Sequence, residues 1–286
     1  MICFWQILII TYFFFLDIIF RRCLLVAQLP EALVIGCPET EEGAIAKLPD
    51  SITLQSYQAI ACGPGLTRST LSIIEQLLDS PVPLVLDADG LNNLVTLGIS
   101  HLHQRKSPTI LTPHAGEFKR LFPQIKIMPD RIHAARQAAS ESGTVVILKG
   151  AKTAIADPDG TVWVNPESTP ALARGGSGDV LAGLLGGILA QGSATVTAAA
   201  SAATAAVWWH GQAGILAAED RSVLGVDAFH LTQYLTRSVN IPLRSIRNDL
   251  TSVLDKNEEK VRYEVRNRVS LTNETSSVKS SKKPGF

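Results

Sequence analysis

The sequence predicts an α/β fold with three α/β/α layers, in which helices cover both faces of a mostly parallel central sheet. Two observations carry this prediction. Short apolar segments alternate with helical segments through residues 58–192, and each apolar segment ends in Gly, Pro or Asp. Consecutive apolar residues within the short segments indicate strands buried on both faces, as parallel strands are. This alternation predicts a parallel sheet between two helical layers.

The first elements follow from these patterns in order. QAIACGPGL (58–66) predicts a strand that ends in a glycine turn, and PLVLDADG (83–90) predicts the next strand. Between them, STLSIIEQLLDS (69–80) predicts an amphipathic helix, because its apolar residues recur at helical spacing: Leu71, Ile74, Leu77 and Leu78. A further strand and helix are predicted in PTILTPHAGEFKRLF (108–122).

The later elements include one hairpin. A helix is predicted over 131–142 and a strand in TVVILKG (144–150), after which AIADPDGTVWVN (154–165) reads as two short strands around an Asp-Pro-Asp-Gly turn. A glycine-punctuated helix within 175–192 and an alanine-rich helix over 194–209 follow. Their small residues predict close helix packing in the core.

Composition narrows the function classes. With 286 residues and 46% hydrophobic residues, the chain is long enough for one domain with a buried core. The formal net charge is zero, which gives no electrostatic reason to expect a nucleic-acid partner. The cysteines show no CxxC pair and no histidine at zinc-ligand spacing, which favours free thiols in a reducing, cytoplasmic compartment: Cys3, Cys23, Cys37 and Cys62.

Residues 1–28 form a segment unlike the rest of the chain. The first twenty residues are almost wholly apolar and are followed by Arg21 and Arg22, and about 20 apolar residues suffice to cross a bilayer. Asp17 interrupts the segment and is costly at a membrane centre. Three interpretations stay open: a membrane anchor with the arginines and the domain in the cytoplasm, a buried strand or helix, and an aberrant start to a truncated gene.

The other end of the chain is polar. From about Ser238 onward the sequence becomes charged, and its last residues are rich in Ser, Thr and Lys. Such a segment buries too little apolar surface to offset the entropy of ordering, so residues 238–286 are predicted to be a disordered tail.

Most of the chemically able residues are predicted to lie on one edge of the sheet. Ligands of such sheets bind at the carboxyl ends of the strands. The residues predicted there are 63–65, 87–89, 112–114, 149–150 and 175–179.

The sequence Gly-Gly-Ser-Gly-Asp at 175–179 is the most informative of these. Glycines allow a tight turn that presents N–H groups to an anion, and the following helix adds the positive end of its dipole. A phosphate held there would lie beside the Asp179 carboxylate, an arrangement that suits phosphoryl transfer to a hydroxyl. The alternative is an ordinary acidic residue at a helix start.

Five ordered segments resemble the ADP- or ATP-dependent NAD(P)H-hydrate dehydratases of the ribokinase-like superfamily. They are ACGPGL, VLDADGLN, LTPHAGEF, LKGAKT and GGSGDVLAGLLGGILAQG. The resemblance covers residues 29–237 as one domain. It implies a ribokinase-like fold and a reaction in which ADP, or ATP, phosphorylates the hydroxyl of hydrated NADH or NADPH (NADHX or NADPHX). Phosphate then leaves and restores the dinucleotide, with AMP as the other product when ADP is used; Mg²⁺ is the implied metal.

The resemblance also implies roles for individual residues. Gly65 and His114 would contact the hydrated dinucleotide, and Asp179 would be the base on the substrate side. Glu117 would orient a magnesium-bound water, with His114 where related kinases have Asn. The nucleotide would contact two runs of residues: Lys149, Gly150, Ala151, Lys152 and Thr153, and Gly175, Gly176, Ser177 and Gly178.

Several alternatives to these roles remain. His114 can be a polar strand-end residue, Glu117 a helix-start acid and Lys149 a solvent-exposed lysine. Asp87 and Asp89 are expected near phosphate or magnesium, although either can instead cap the following helix. At the level of the whole chain, the alternatives are a ribokinase-like kinase of a small metabolite and an inactive remnant that only binds nucleotide.

The chain departs from the family at its start. Family members begin with a glycine-containing strand and helix that supply an alanine to the substrate pocket, and no such unit precedes Leu29. The sheet is therefore expected to lose strands and one wall of the pocket. The sequence leaves open whether the protein is a homo-oligomer and whether residues 1–20 meet a membrane.

Overall fold

The structure is a computed structural model that describes residues 7–9, 14–18, 33–192 and 194–238. Its centre is a nine-stranded sheet of order β3-β2-β1-β4-β5-β6-β7-β8-β9. The strands are β1 (Ile7–Ile9), β2 (Phe14–Ile18), β3 (Leu33–Cys37), β4 (Ile60–Cys62), β5 (Leu84–Leu86), β6 (Thr109–Leu111), β7 (Val145–Leu148), β8 (Thr153–Ala156) and β9 (Val162–Asn165). Strands β4 to β7 pair in parallel, as do β2 and β3, whereas β1 and β8 pair antiparallel to their neighbours. The predicted mostly parallel sheet is confirmed.

Helices cover both faces of this sheet. They are α1 (Leu71–Asp79), α2 (Ala88–Leu97), α3 (Ala115–Leu121), α4 (Arg131–Ser142), α5 (Ser177–Gln191), α6 (Val196–Arg221) and α7 (Ala228–Ser238). The first four pack in one hydrophobic cluster with residues such as Leu86 and Leu148, and α5 and α6 pack in another with Val85 and Ile147. Because neighbouring residues of a strand face opposite sides, these two clusters are the two helical layers of a three-layer fold.

Most predicted elements lie where the patterns put them. The hairpin is formed by β8 and β9, which pair antiparallel, and helix α4 has the predicted bounds. The alanine-rich helix predicted over 194–209 is longer, since α6 continues to Arg221. Helix α7 was not predicted; its Leu231 and Tyr234 are buried in a third cluster with the second half of α6.

Part of the apolar N-terminal segment joins the sheet. The strands β1 and β2 lie between β3 and β4, and β1 pairs antiparallel with both β2 and β4. The expectation that the sheet lacks strands here is therefore wrong. Of the three interpretations of residues 1–28, the strand agrees with the structure at 7–9 and 14–18, and aromatic and β-branched residues there favour strand pairing.

Other predictions for the chain ends lie outside the described residues. These include the remainder of 1–28, Cys3 and Cys23, and the tail beyond Ser238. In the ranges that are described, no helix combines the length and the apolar character needed to cross a membrane.

Candidate active site

Four parallel strands end side by side at one edge of the sheet. The last residues of β4, β5 and β6 are in register, with Cys62 opposite Leu86 and Leu86 opposite Leu111. Strand β7 extends two residues further, to Leu148, since its Val146 lies opposite Leu111. The residues that follow these strand ends are those predicted for the edge: Gly63, Asp87, Thr112 and Lys149. The topology therefore brings together side chains that are far apart in the sequence, and we call this cluster the carboxyl edge.

Gly63 lets the turn after β4 approach the start of α2. Its φ is +131°, and a Cβ added there would lie 1.8 Å from the Asp87 carbonyl oxygen. Only glycine fits such a contact. Two residues further on, Gly65 has φ +72°, and the turn is closed by a hydrogen bond that the Leu66 amide donates to the Gly63 carbonyl (3.0 Å). The predicted substrate residue Gly65 thus lies at the carboxyl edge.

Asp87 is the buried partner of Lys149. The Lys149 Nζ lies 2.7 Å from Asp87 Oδ1, and the Thr112 hydroxyl donates to the same oxygen at 2.7 Å. The Asp87 side chain is 2% exposed and that of Lys149 is 21% exposed. The alternative of a solvent-exposed lysine is therefore wrong, and a buried pair of this kind fixes the position of the ammonium group.

The two aspartates of the 87–89 turn have different surroundings. Asp87 occupies the N-cap position of α2, but its side chain makes no capping hydrogen bond. Asp89 lies in the first turn of α2 and accepts a hydrogen bond from the Asn92 side chain at 2.9 Å. Of the pair, Asp87 is therefore the residue that the structure joins to the charged cluster.

The 175–179 sequence forms the start of α5 at the carboxyl edge. Gly176 has φ +85° and provides no side-chain cap, while the Ser177 amide donates back to the Arg174 carbonyl at 3.3 Å. Within the described part of the chain, the amides of Gly178 and Asp179 donate no hydrogen bond. Unpaired amides at the start of a 15-residue helix are donors for an anion.

Gly178 lies directly beside the buried ion pair. A Cβ added to Gly178 would be 3.3 Å from Lys149 Nζ and 3.6 Å from Asp87 Oδ2. The amides of the α5 start and the ammonium of Lys149 therefore lie close together. This arrangement combines donors of two kinds that suit a phosphate, backbone N–H groups and a cation.

Asp179 is a partly buried carboxylate in the first turn of α5. Burial raises the pKa of Asp179 above its ordinary value, and the negative charge of Asp87 raises it further, while Lys149 acts in the opposite direction. A carboxylate that binds a proton more readily than usual is suited to act as a general base.

His114 and Glu117 form a capping box at the start of α3. The His114 Nδ1 accepts from the amides of Gly116 (2.9 Å) and Glu117 (3.3 Å), and the His114 amide donates to Glu117 Oε2 at 2.8 Å. His114 Nε2 lies 3.3 Å from Glu117 Oε1. This histidine therefore does what Asn or Asp does at other helix starts, and its side chain is 56% exposed at the carboxyl edge.

Glu117 is buried near the charged cluster. Burial raises its pKa above the ordinary value, the charge of Asp87 adds to this, and Lys149 and the hydrogen bond from the His114 amide lower it. No group of three or more His, Cys, Asp or Glu side chains in the described ranges is arranged to hold a metal ion. The residues thus fit a magnesium ion only if phosphate and water supply most of its ligands, which is the usual mode for Mg²⁺.

The 149–153 segment forms a tight turn at the edge. The Thr153 hydroxyl donates to the Gly150 carbonyl at 2.9 Å and lies 3.3 Å from the Gly150 amide nitrogen. Arg131, at the start of α4, donates to the carbonyls of Leu148 and Lys149, both at 3.1 Å. Ala151 and Lys152 are exposed. The whole predicted nucleotide segment therefore lies at the carboxyl edge.

His210 is a part of the site that the sequence patterns did not reveal. It lies on α6, is buried, and places its Nε2 2.9 Å from the Ser177 carbonyl oxygen and 3.2 Å from the Ser177 hydroxyl. Burial lowers the pKa of His210 to about 4, and the charge of Lys149 lowers it as well, against the effect of the Ser177 hydrogen bond. A lone histidine in an alanine-rich helix carries no sequence signal of this contact.

Comparison with known proteins identifies the family. Residues 22–237 match the family model described as NAD(P)H-hydrate dehydratase. The chain belongs to this family. The resemblance inferred from the five segments is thereby confirmed. The NAD(P)H-hydrate dehydratase model extends through β3, the carboxyl edge and α7, so it includes every residue of the site described above.

Two relatives are similar to this chain in sequence. The bifunctional NAD(P)H-hydrate repair enzyme of Synechocystis sp. is 54% identical over 215 residues, 75% of this chain and 40% of that protein. The chain thus spans less than half the length of this relative. The ADP-dependent (S)-NAD(P)H-hydrate dehydratase of Bacillus subtilis is 35% identical over 195 residues, 67% of each chain.

Solved structures support the fold. The B. subtilis ADP/ATP-dependent dehydratase co-crystallised with ATP/Mg²⁺ has a TM-score of 0.62 and 33% identity, covering 76% of this chain and 74% of that chain. A ribokinase-like superfamily protein from Enterococcus faecalis has the same TM-score at 23% identity, covering 79% and 76%. The predicted ribokinase-like fold is confirmed.

Proposed function

We propose that this chain is an ADP-dependent dehydratase that converts NADHX or NADPHX back to NADH or NADPH. One observation carries the proposal: the unpaired amides at the start of α5 lie beside the Asp179 carboxylate and the Lys149 ammonium. The site thus offers donors for a phosphate and a base for a hydroxyl in one place. The family model and the B. subtilis relative point to the same reaction.

The chemistry begins with phosphoryl transfer. The Asp179 carboxylate takes the proton of the hydrate's ring hydroxyl as that oxygen attacks the terminal phosphorus of ADP, and the bond from phosphorus to the oxygen of AMP breaks. The amides of Gly178 and Asp179 and the Lys149 ammonium stabilise the charge on the phosphoryl oxygens. The phosphate then leaves with the electron pair of its carbon–oxygen bond, and a proton leaves the neighbouring ring carbon. The electron pair of that carbon–hydrogen bond forms the ring double bond, which restores the dinucleotide.

The remaining residues bind and position the reactants. The 149–153 turn and residues 175–178 hold the nucleotide, and Gly65 and His114 contact the hydrated dinucleotide. Asp87 and Thr112 hold Lys149 in place. Magnesium would neutralise part of the phosphate charge, and Glu117 would hold it through a water ligand.

The protein is proposed to act in the cytoplasm. Cys62 is a free, buried cysteine, and burial raises the pKa of its thiol above the ordinary value. A buried thiol with a raised pKa is unreactive, which suits a protein of a reducing compartment.

Turnover of the hydrate tests the proposal directly. Purified protein is incubated with NADHX and either ADP or ATP in the presence of Mg²⁺, and the absorbance of NADH is followed while AMP and phosphate are quantified. We expect one NADH, one AMP and one phosphate per ADP consumed. A folded sample that forms no NADH with either nucleotide would refute the dehydratase assignment.

A further inference from the structure

His210 lies behind the phosphate-binding start of α5. Its ring is carried by α6 and reaches Ser177, the first residue of α5, at two atoms: 2.9 Å to the carbonyl oxygen and 3.2 Å to the hydroxyl. A carbonyl oxygen can only accept a hydrogen bond, so the His210 Nε2 carries the proton and donates it. Both residues are buried, which removes water as a competing partner.

The peptide bond links this contact to the phosphate donors. The Ser177 carbonyl and the Gly178 N–H belong to one peptide group, which is planar and trans, so the two bonds point in opposite directions. A hydrogen bond that fixes the carbonyl toward α6 therefore fixes the Gly178 N–H on the side away from α6. Gly178 is the residue that lies beside Lys149.

The same hydrogen bond also affects the strength of the donor. Donation to a carbonyl polarises its peptide group and makes the attached N–H a stronger donor, because hydrogen bonds in a chain reinforce one another. The His210 ring is thus connected to the anion site through a single peptide unit, although it does not contact the reacting atoms.

The backbone of α6 holds the ring in place. Gly211, the next residue, is so close to the segment before α5 that an added Cβ would lie 3.0 Å from the Glu167 carbonyl oxygen. The Asn165 side chain donates to that same carbonyl at 2.9 Å and lies 3.5 Å from the Val207 carbonyl oxygen. These contacts fix the distance between α6 and the polypeptide that leads into the glycine loop.

We propose that His210 is a positioning residue of the phosphate site, which orients and polarises the Ser177–Gly178 peptide so that the Gly178 amide faces the nucleotide phosphate. This inference rests on the proposed use of the α5 start as a phosphate site. It assigns to His210 a role that does not require contact with either substrate. A Gln side chain, whose amide N–H reaches about as far as His Nε2, is expected to replace it.

The test uses two variants of the full chain, His210→Leu and His210→Gln. Titration calorimetry with Mg-ADP is expected to show roughly tenfold weaker binding for the Leu variant, the effect of weakening one hydrogen bond to a charged group. The Gln variant is expected to bind within about threefold of the wild type, since it keeps the donor. His103→Leu is the matched control, because the His103 ring also forms a hydrogen bond with a carbonyl, that of Glu141 (2.6 Å), away from the carboxyl edge. The affinity of the His103→Leu variant for Mg-ADP should be unchanged.

Amide NMR separates orientation from a purely structural role. In ¹⁵N-labelled wild-type protein, Mg-ADP is expected to shift the Gly178 amide proton downfield, and the Gln variant should keep that shift. This measurement needs no Leu variant, so it stands even if His210→Leu fails to fold. A folded Leu variant with wild-type ADP affinity, or a Gly178 resonance that does not move at saturating ADP, would overturn the inference.

The inference and the proposed function fail in different ways. Wild-type protein that shows the expected Gly178 shift, binds ADP more tightly than the His210→Leu variant and forms no NADH from NADHX would refute the dehydratase and retain the role of His210. Turnover that is unaffected in a folded His210→Leu variant would refute the positioning role of His210 and retain the dehydratase assignment.

Discussion

Two carboxylates at the carboxyl edge have opposite surroundings. Asp87 is 2% exposed and is held by the Lys149 ammonium and the Thr112 hydroxyl, both at 2.7 Å. The Asp179 carboxylate has no recorded hydrogen bond or ion pair to the described residues, and burial raises its pKa. This difference fits a fixed position for Asp87 and, under the proposed function, proton exchange by Asp179, although both are simply aspartates near glycines in the sequence.

The largest expected effect is that of replacing Asp179, the proposed base. Asp179→Asn keeps the size of the side chain and removes the base, so kcat should fall by about 10³-fold. ADP affinity should persist, because the amides and Lys149 remain. Since burial disfavours the charged form of Asp179, the neutral Asn variant should be no less stable at pH 7 than the wild type.

Stopped-flow NADH formation and ADP calorimetry together check this outcome. Asp159→Asn serves as the control, because Asp159 lies in the β8–β9 turn, at the opposite edge of the sheet, and its carboxylate accepts a hydrogen bond from the Thr161 amide there (2.8 Å). Equal turnover in Asp179→Asn and wild type would show that the base lies elsewhere.

The next largest effect is expected from replacing Asp87, the carboxylate that is held by Lys149 and Thr112. Asp87→Ala leaves the partly buried Lys149 ammonium without its carboxylate, which should cost about 3 kcal/mol of unfolding free energy. Urea denaturation measures this directly. A loss as small as that of an exposed ion pair, below about 1 kcal/mol, would contradict the assignment of Asp87 as a structural partner.

A third test uses pH. The folded-state pKa of His210 is about 4, below the 6.5 of an unfolded histidine. The unfolded chain therefore binds a proton first as the pH falls below 6.5, and unfolding becomes easier by about 1.4 kcal/mol per pH unit until the pH reaches about 4. The wild type should show this added slope in denaturation between these pH values, and His210→Gln should lack it. Identical slopes would contradict a buried, neutral His210.

The smallest effects distinguish two adjacent glycines. Gly176 has φ +85°, and an added Cβ would lie 2.8 Å from the Ala228 Cβ, so Gly176→Ala should destabilise by about 1–3 kcal/mol. A Cβ on Gly175 would meet open space. Gly175→Ala should therefore leave the Tm unchanged and weaken ADP binding, because that space is the proposed nucleotide site. An equal loss of Tm in both variants would show that Gly175 is needed for the stability of the fold, which contradicts its assignment to nucleotide binding alone.

Local sequence patterns were sufficient to predict much of the fold. Alternating segments predicted the parallel sheet and a helix around 131–142. The structure shows why that helix has these bounds, since Asp130 caps it and Gly143 ends it in the left-handed region. The motif at 175–179 also lies where the pattern placed it. These features depend on periodicity and on residues adjacent in the chain, which a sequence displays.

Contacts between distant residues could not be predicted in this way. The Asp87–Lys149 pair joins residues 62 positions apart, and the His210–Ser177 contact joins residues 33 apart. The two strands within residues 7–18 were not assigned because an almost wholly apolar run suits a strand, a buried helix and a membrane span equally well. The helix predicted over 194–209 was too short, since α6 continues through Gly211, where an added Cβ would lie 3.0 Å from the Glu167 carbonyl oxygen.

The most direct test of the central claim follows one oxygen atom. NADHX carrying ¹⁸O in its ring hydroxyl is converted with ADP in unlabelled water, and the phosphate is analysed by mass spectrometry. If Asp179 activates that hydroxyl for phosphorylation at the α5 start, one ¹⁸O will appear in phosphate for each NADH formed. Recovery of the label in water, with NADH still produced, would show that the hydroxyl leaves without being phosphorylated and would contradict the account.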